Sequence, residues 1–135
     1  MRAHYEIHAE RGLVIETFEG RVTLQALVPF FQSLYADPGW DPRFDGLADL
    51  SNAVIDMDFD DMSRLVGYMR SSGSASTGRW AFVVGSALNL GMSRMFQTMS
   101  DDLQSDLRFF LDRDEAVRWL AKPRTGATKS GGEPG

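Results

Sequence analysis

The sequence predicts an α/β fold: a single layered domain with a five-stranded, mostly parallel sheet, an N-terminal antiparallel hairpin and four helices. Three observations carry this. Two alternating segments, HYEIHAE and LVIETFE, flank the turn ERG. Helix-period segments then alternate with the short apolar runs GLADLS, WAFVVG and LRFFL. A strand pair followed by helix–strand repeats makes each helix cover a mostly parallel sheet. The length, 135 residues, suits one domain, and a chain of that size buries roughly two-thirds of the surface its unfolded form exposes.

Each element has its own signal. In HYEIHAE, Tyr5, Ile7 and Ala9 alternate with His4, Glu6 and His8, giving one apolar and one polar face. The second strand runs from Leu13 to Glu19, and Gly20 ends it. Thr23 offers an N-cap to a helix striped by Leu24, Leu27, Val28, Phe31, Leu34 and Tyr35. Pro29 lies inside that stripe and removes a backbone donor, so it either kinks the helix or moves its start later. ADPGWDPRFDG reads as a polar-aromatic loop. LADLS is a short buried strand, and Asp60 caps a second helix striped by Met62, Leu65, Val66 and Met69. SSGSASTG is a flexible linker. WAFVVG, apolar on both faces, is a central parallel strand. Ser86 or Ala87 opens a third helix striped by Leu88, Met92, Met95, Phe96, Met99 and Leu103. LRFFL is the last strand, and Asp112 caps a short helix with Ala116, Val117 and Leu120 facing inward. The domain spans 1–121. Residues 122–135, KPRTGATKSGGEPG, have no apolar period and read as a disordered basic Gly/Pro/Ser tail.

Composition excludes several kinds of site. With no cysteine there are no disulfides, thiolate metal sites or Cys nucleophile, and the chain suits a reducing compartment. A net charge of −5, with three of the cations in the tail, leaves an acidic body that repels phosphate backbones, so no nucleic-acid partner is expected. MRAHYEI lacks an uncharged apolar core for a signal peptide, and no run approaches the ~18 apolar residues of a membrane span. The expectation is a cytoplasmic protein with no transmembrane segment, no metal and no cofactor.

The candidate chemistry is sparse. His4 and His8 are the only histidines, and on a strand their Cα atoms lie roughly 13 Å apart at ~3.3 Å per residue, too far to share one ion. IDMDFDDM starts like a D-x-D-x-D calcium loop, but Asp61 and Gly67 stand where the loop needs Gly and Glu. A capped helix start with acidic residues at its positive end is the simpler account. GSASTGRW lacks the Lys and hydroxyl of a phosphate loop and sits between a helix and a strand, the reverse of the required order. Gly85-Ser86 does follow a central strand and open a helix, but without G-x-S-x-G around it Ser86 is an N-cap or part of a polar-ligand site rather than a nucleophile.

In open α/β sheets ligands bind outside the carboxyl ends of the strands. The candidate ligand-binding residues are therefore Ser51, Asn52, Gly85, Ser86 and Asn89. They include no tuned general base, which argues against an enzyme and leaves no catalytic residue to name. Phe30, Trp40 and Phe44 either close over the sheet edge or form an exposed interaction patch. The methionines fit core stripes, or else a pliable apolar surface.

GRVTLQAL entering the first helix, GLADLSNA, RWAFVVGSAL and LRFFLDRDEAVRWL, after the hairpin opening, resemble the STAS-type family of sulfate transporters and anti-sigma-factor antagonists. The closer likeness is to its bacterial STAS-like or CRAL-TRIO-like branch, over about residues 4–121. The resemblance implies a non-enzymatic regulatory or protein-interaction module. In the antagonist branch a Ser in a D-S-S-G-type turn is phosphorylated. This chain keeps Asp49-Leu50-Ser51 but continues Asn52-Ala53-Val54-Ile55-Asp56, with no hydroxyl residue until Ser63, so that switch does not carry over.

Two readings result. A protein-interaction module, with a protein partner or self-association, predicts an apolar patch and no deep cavity. The alternative, a carrier or sensor of a small apolar or amphipathic ligand, predicts an enclosed pocket on the order of 300 Å³ or more, lined by Met92, Met95 and Phe96.

Overall fold

The computed structural model describes residues 1–72, 76–101 and 106–123. β1 (Arg2–His8) and β2 (Leu13–Val22) form the antiparallel hairpin around a 3-10 turn, Ala9–Arg11. Ala9 therefore leaves the strand that alternation assigned to it. Gly12 closes the turn at φ 61, in the left-handed region where glycine carries no steric cost. Helix α1 (Leu24–Ala36) leads to β3 (Asp45–Ile55), and α2 (Phe59–Ser71) to β4 (Arg79–Val84). Helix α3 (Ala87–Met99) leads to β5 (Asp106–Phe110), and α4 (Arg113–Ala121) follows. The strand order is β1-β2-β3-β4-β5, antiparallel at the hairpin and parallel thereafter. This is the single α/β domain expected from the sequence, with five strands and four helices among the described residues.

Sequential order has a consequence for the layers. Each parallel strand is reached through one helix, and successive crossovers of one hand and one direction place their helices on one face. Leu27 and Leu34 of α1, Met62, Leu65 and Val66 of α2, and Phe96 of α3 accordingly share one core with Val14, Phe18, Ala48 and Leu50 of the sheet. A smaller core of Leu47, Ala81, Val83, Ala116 and Trp119 lies on the opposite face, under α4.

Several boundaries differ from expectation. β3 has eleven residues rather than the five of LADLS, because pairing with β2 continues to Val22↔Ile55, beyond Gly20 at φ 84. Thr17 pairs with Asp49 but Glu19 with Asn52, so β3 carries one extra residue there, a bulge at Leu50 and Ser51. Asp58, not Asp60, caps α2: its Oδ1 accepts from Asp61 N at 2.9 Å and Asp61 Oδ2 accepts from Asp58 N at 3.2 Å. This reciprocal box satisfies two backbone donors at once, which a cap two residues later forgoes. α1 begins at Leu24 on its Thr23 cap and runs through Pro29. In α3, Met95 is 39% exposed, while Asn89 and Ser93 are buried. In α4, Val117 is 46% exposed and Trp119 takes the inward position. Leu103, residues 73–75 within the SSGSASTG linker and the tail beyond 123 lie outside the described residues.

Candidate functional site

Along β2 the buried positions are Val14, Glu16, Phe18 and Val22, all directed at the α1–α3 layer. Glu16 therefore takes a core position in a strand that is otherwise apolar on that face. Its neighbours across the sheet are Tyr5 of β1 and Ala48 of β3. It is 2% exposed, and its Oε2 has no hydrogen-bond partner. Burying an ionised carboxylate in such surroundings is costly, so the group takes up a proton instead. Desolvation pushes the Glu16 carboxyl up to about 8. The Tyr35 phenol is raised too, by burial first and then by the Glu16 and Tyr68 side chains near it.

Glu16 opens onto a cavity of about 80 Å³ between the sheet and the three helices. Phe18, Val22, Leu50, Ile55 and Phe82 line its sheet side, and Leu27, Phe31, Met62, Leu65, Met69, Met92 and Phe96 its helical side. Among the described residues, Ser93 of α3 is the other polar residue of the wall. The space is smaller than the pocket expected for a carrier, and Met95 is not part of its wall. A buried water needs about 10–15 Å³ of such space, so the cavity accommodates roughly five to eight non-hydrogen atoms. Four methionines contribute to the lining: Met57, Met62, Met69 and Met92. Their unbranched side chains re-pack readily around different shapes.

Of the residues expected at the carboxyl edge, Gly85 lies against Ser51 and Ser86 caps Asn89, while the Ser51 and Asn89 side chains bond to Asp49 and Ala53 outside that set. Ser51 Oγ donates to Asp49 Oδ1 at 2.5 Å, and Arg113 Nη1 donates to Asp49 Oδ2 at 2.5 Å. Burial raises the Asp49 carboxyl, but the Ser51 hydrogen bonds and the Arg113 guanidinium outweigh it and hold it below the usual range. A β-carbon on Gly85 would lie 2.4 Å from the Ser51 carbonyl oxygen, so the end of β4 reaches the β3 bulge only with glycine there. Ser86 Oγ accepts from Asn89 N at 3.1 Å, capping α3, and Asn89 Nδ2 donates to Ala53 O at 3.0 Å. Asn52 is exposed opposite Glu19. The strand order contains no reversal, so this edge lacks the crevice that a switch point opens in doubly wound sheets.

Phe30, Trp40 and Phe44 are half-buried and pack on the main core. Phe30 meets Tyr5, Phe18 and Phe31 at ring-centroid distances of 5.8, 5.0 and 5.6 Å, and Trp40 meets Tyr35 at 5.2 Å. His4 and His8 flank Glu6 on the outer face of β1, at 3.7 and 3.2 Å. Of the aspartates in IDMDFDDM, Asp56 pairs with Arg21 while Asp58 and Asp61 form the α2 cap. Among the described residues no group of three His, Asp or Glu side chains converges as a metal site, and no helix is long and apolar enough to cross a membrane.

Glu16 is the residue sequence reasoning missed. Its signal was phase: it falls two residues from Val14 and two from Phe18, on the strand face that must be buried.

No protein-family model and no curated protein matches the chain. Among solved structures it is similar to an uncharacterized protein of the DUF3478 family from Shewanella loihica PV-4, described as having a SpoIIAA-like fold. The identity is 17%, the match covers 81% of this chain and 84% of that one, and the TM-score is 0.53. The likeness establishes the fold as SpoIIAA-like, the STAS-like architecture to which the sequence phrases pointed.

Proposed function

We propose that the protein is a non-enzymatic module that binds a small, largely apolar ligand between its sheet and the α1–α3 layer. One observation carries this reading: a buried carboxyl with an unpartnered oxygen faces a cavity whose other walls are almost wholly apolar. Such a group costs stability where it stands, and a cost retained at a concave apolar site is a mark of function. A shifted carboxyl also suits a general acid or base. Catalysis, however, needs a second placed group, and among the described residues Ser93 alone adds a polar side chain to the wall.

The test is mass spectrometry on protein purified from its own host, run natively and again after solvent extraction. A small co-purifying molecule that is lost from a Glu16→Leu variant supports the binding role. Bare protein in both runs, with no response to any added small apolar compound, overturns it.

A docking role has separate support on the opposite face. Helix α4 packs mainly on β3, β4 and β5, leaving the outer side of the hairpin, with Leu13, Ile15 and Thr17 half-buried, largely uncovered by the described residues. A doubled mass in the native spectrum would favour that role, with self-association as its form.

A further inference from the structure

From the cavity geometry we infer the chemical class of the ligand: a compact neutral molecule, mostly hydrocarbon, whose single polar atom is an oxygen that accepts a hydrogen bond from the Glu16 carboxyl. This rests on the binding role proposed above and goes beyond it by choosing among neutral, cationic and anionic ligands.

The choice follows from what faces Glu16. Across the sheet stand Tyr5 and Ala48. The Tyr5 hydroxyl is already engaged, donating to Asp37 Oδ2 at 2.8 Å. From α1 the titratable neighbour is Tyr35, with Tyr68 of α2 beside it. The charged residues of α2 and α3, Asp60, Asp61, Arg64, Arg70 and Arg94, do not line the cavity, and α1 has none. An anionic ligand therefore meets no cation among the described residues of the wall. A cationic ligand would pair with an ionised Glu16, but among the described residues only Ser93 adds a polar side chain to satisfy the remaining donors. A buried ion pair without such support loses more in desolvation than it regains.

A neutral carboxyl, by contrast, carries one O–H donor, and a ketone, ether or alcohol oxygen completes its hydrogen bond without moving charge into the cavity. Burial keeps the proton on Glu16 at neutral pH, so the donor is in place before the ligand arrives. Raising the pH past the Glu16 titration removes it.

The experiment uses four probes of similar size: cyclohexanone, cyclohexylamine, cyclopentanecarboxylate and methylcyclohexane. Each is titrated into the full chain carrying 13C-methyl methionine, at pH 6 and pH 9. The shifts of Met62, Met69 and Met92, which line the cavity, report binding at the site itself. Cyclohexanone should bind at pH 6 about tenfold more tightly than methylcyclohexane and lose that advantage at pH 9. Glu16→Gln, whose amide still donates, should keep the ketone preference at both pH values. Glu16→Leu should bind ketone and hydrocarbon alike.

If the amine or the carboxylate binds most tightly, or if wild type and Glu16→Leu bind the ketone equally, the inference fails while the binding role stands. If no probe moves the methionine methyls, the binding role fails with it.

Discussion

Glu16 sits in a central strand with an unpartnered oxygen, and its proton ties the stability of the whole chain to pH. In the unfolded chain a glutamate ionises near 4.3; in the fold Glu16 holds its proton to about 8. Between those values the unfolded state releases a proton that the folded state keeps, so stability falls as pH rises across this window. Glu16→Gln removes the dependence. Denaturant unfolding should find the variant more stable than the parent, with a gap that opens above about pH 5, widens to on the order of a few kcal/mol near pH 8 and then stays flat. A gap constant across that range would mean that Glu16 does not titrate as its burial requires. Gly85 marks a steric rather than an electrostatic constraint. Its missing β-carbon would come 2.4 Å from a backbone oxygen of the β3 bulge, so Gly85→Ala should cost about 1–3 kcal/mol by displacing the end of β4, read by the same unfolding measurement.

Elements depend on how their ends are closed. Arg79, at the start of β4, closes the C-terminus of α4: Nη1 donates to Trp119 O at 3.2 Å, and Nη2 donates to Leu120 O at 2.8 Å and Lys122 O at 3.0 Å. Its guanidinium also lies 5.5 Å from the Trp119 ring centroid and 3.5 Å from Asp45 Oδ2. One side chain thus fastens the only helix on its face among the described residues, at the helix end where a cation is favoured. Arg79→Ala should destabilise the fold by about 2–4 kcal/mol, and hydrogen exchange should locate the loss in α4, with α1 and α2 little changed. At α2 the Asp58–Asp61 box predicts a smaller effect: Asp58→Ala should cost about 1 kcal/mol, seen as a lower unfolding midpoint. The acidic run was legible in the sequence as a helix start. Which aspartate caps was not, because several carboxylates within four residues fit the pattern equally and backbone geometry selects one.

At the scale of the molecule, β3 and β4 are paired on both sides and covered on both faces, whereas β1 has one neighbour and an outer face bearing His4, Glu6 and His8. Amide exchange should therefore be slowest in β3 and β4 and fastest, among the strands, in β1; protection in β1 equal to that in β4 would point to a partner on the hairpin edge. The layers also explain why the candidate site sits under the helices rather than at the sheet rim. Sequential winding stacks α1, α2 and α3 on one face, so the concave apolar space lies between that layer and the sheet. Periodicity specified the hairpin and the alternation of helices and strands, and side-chain chemistry the Thr23 and Asp112 caps with Ser86 as a candidate, because backbone hydrogen bonding and side-chain phase are local properties. Strand order, the β3 bulge, the exposure of Val117 in place of Trp119 and the solitude of Glu16 came only from the tertiary structure. Each depends on which distant segment fills the space beside a residue, and a local pattern holds no record of that.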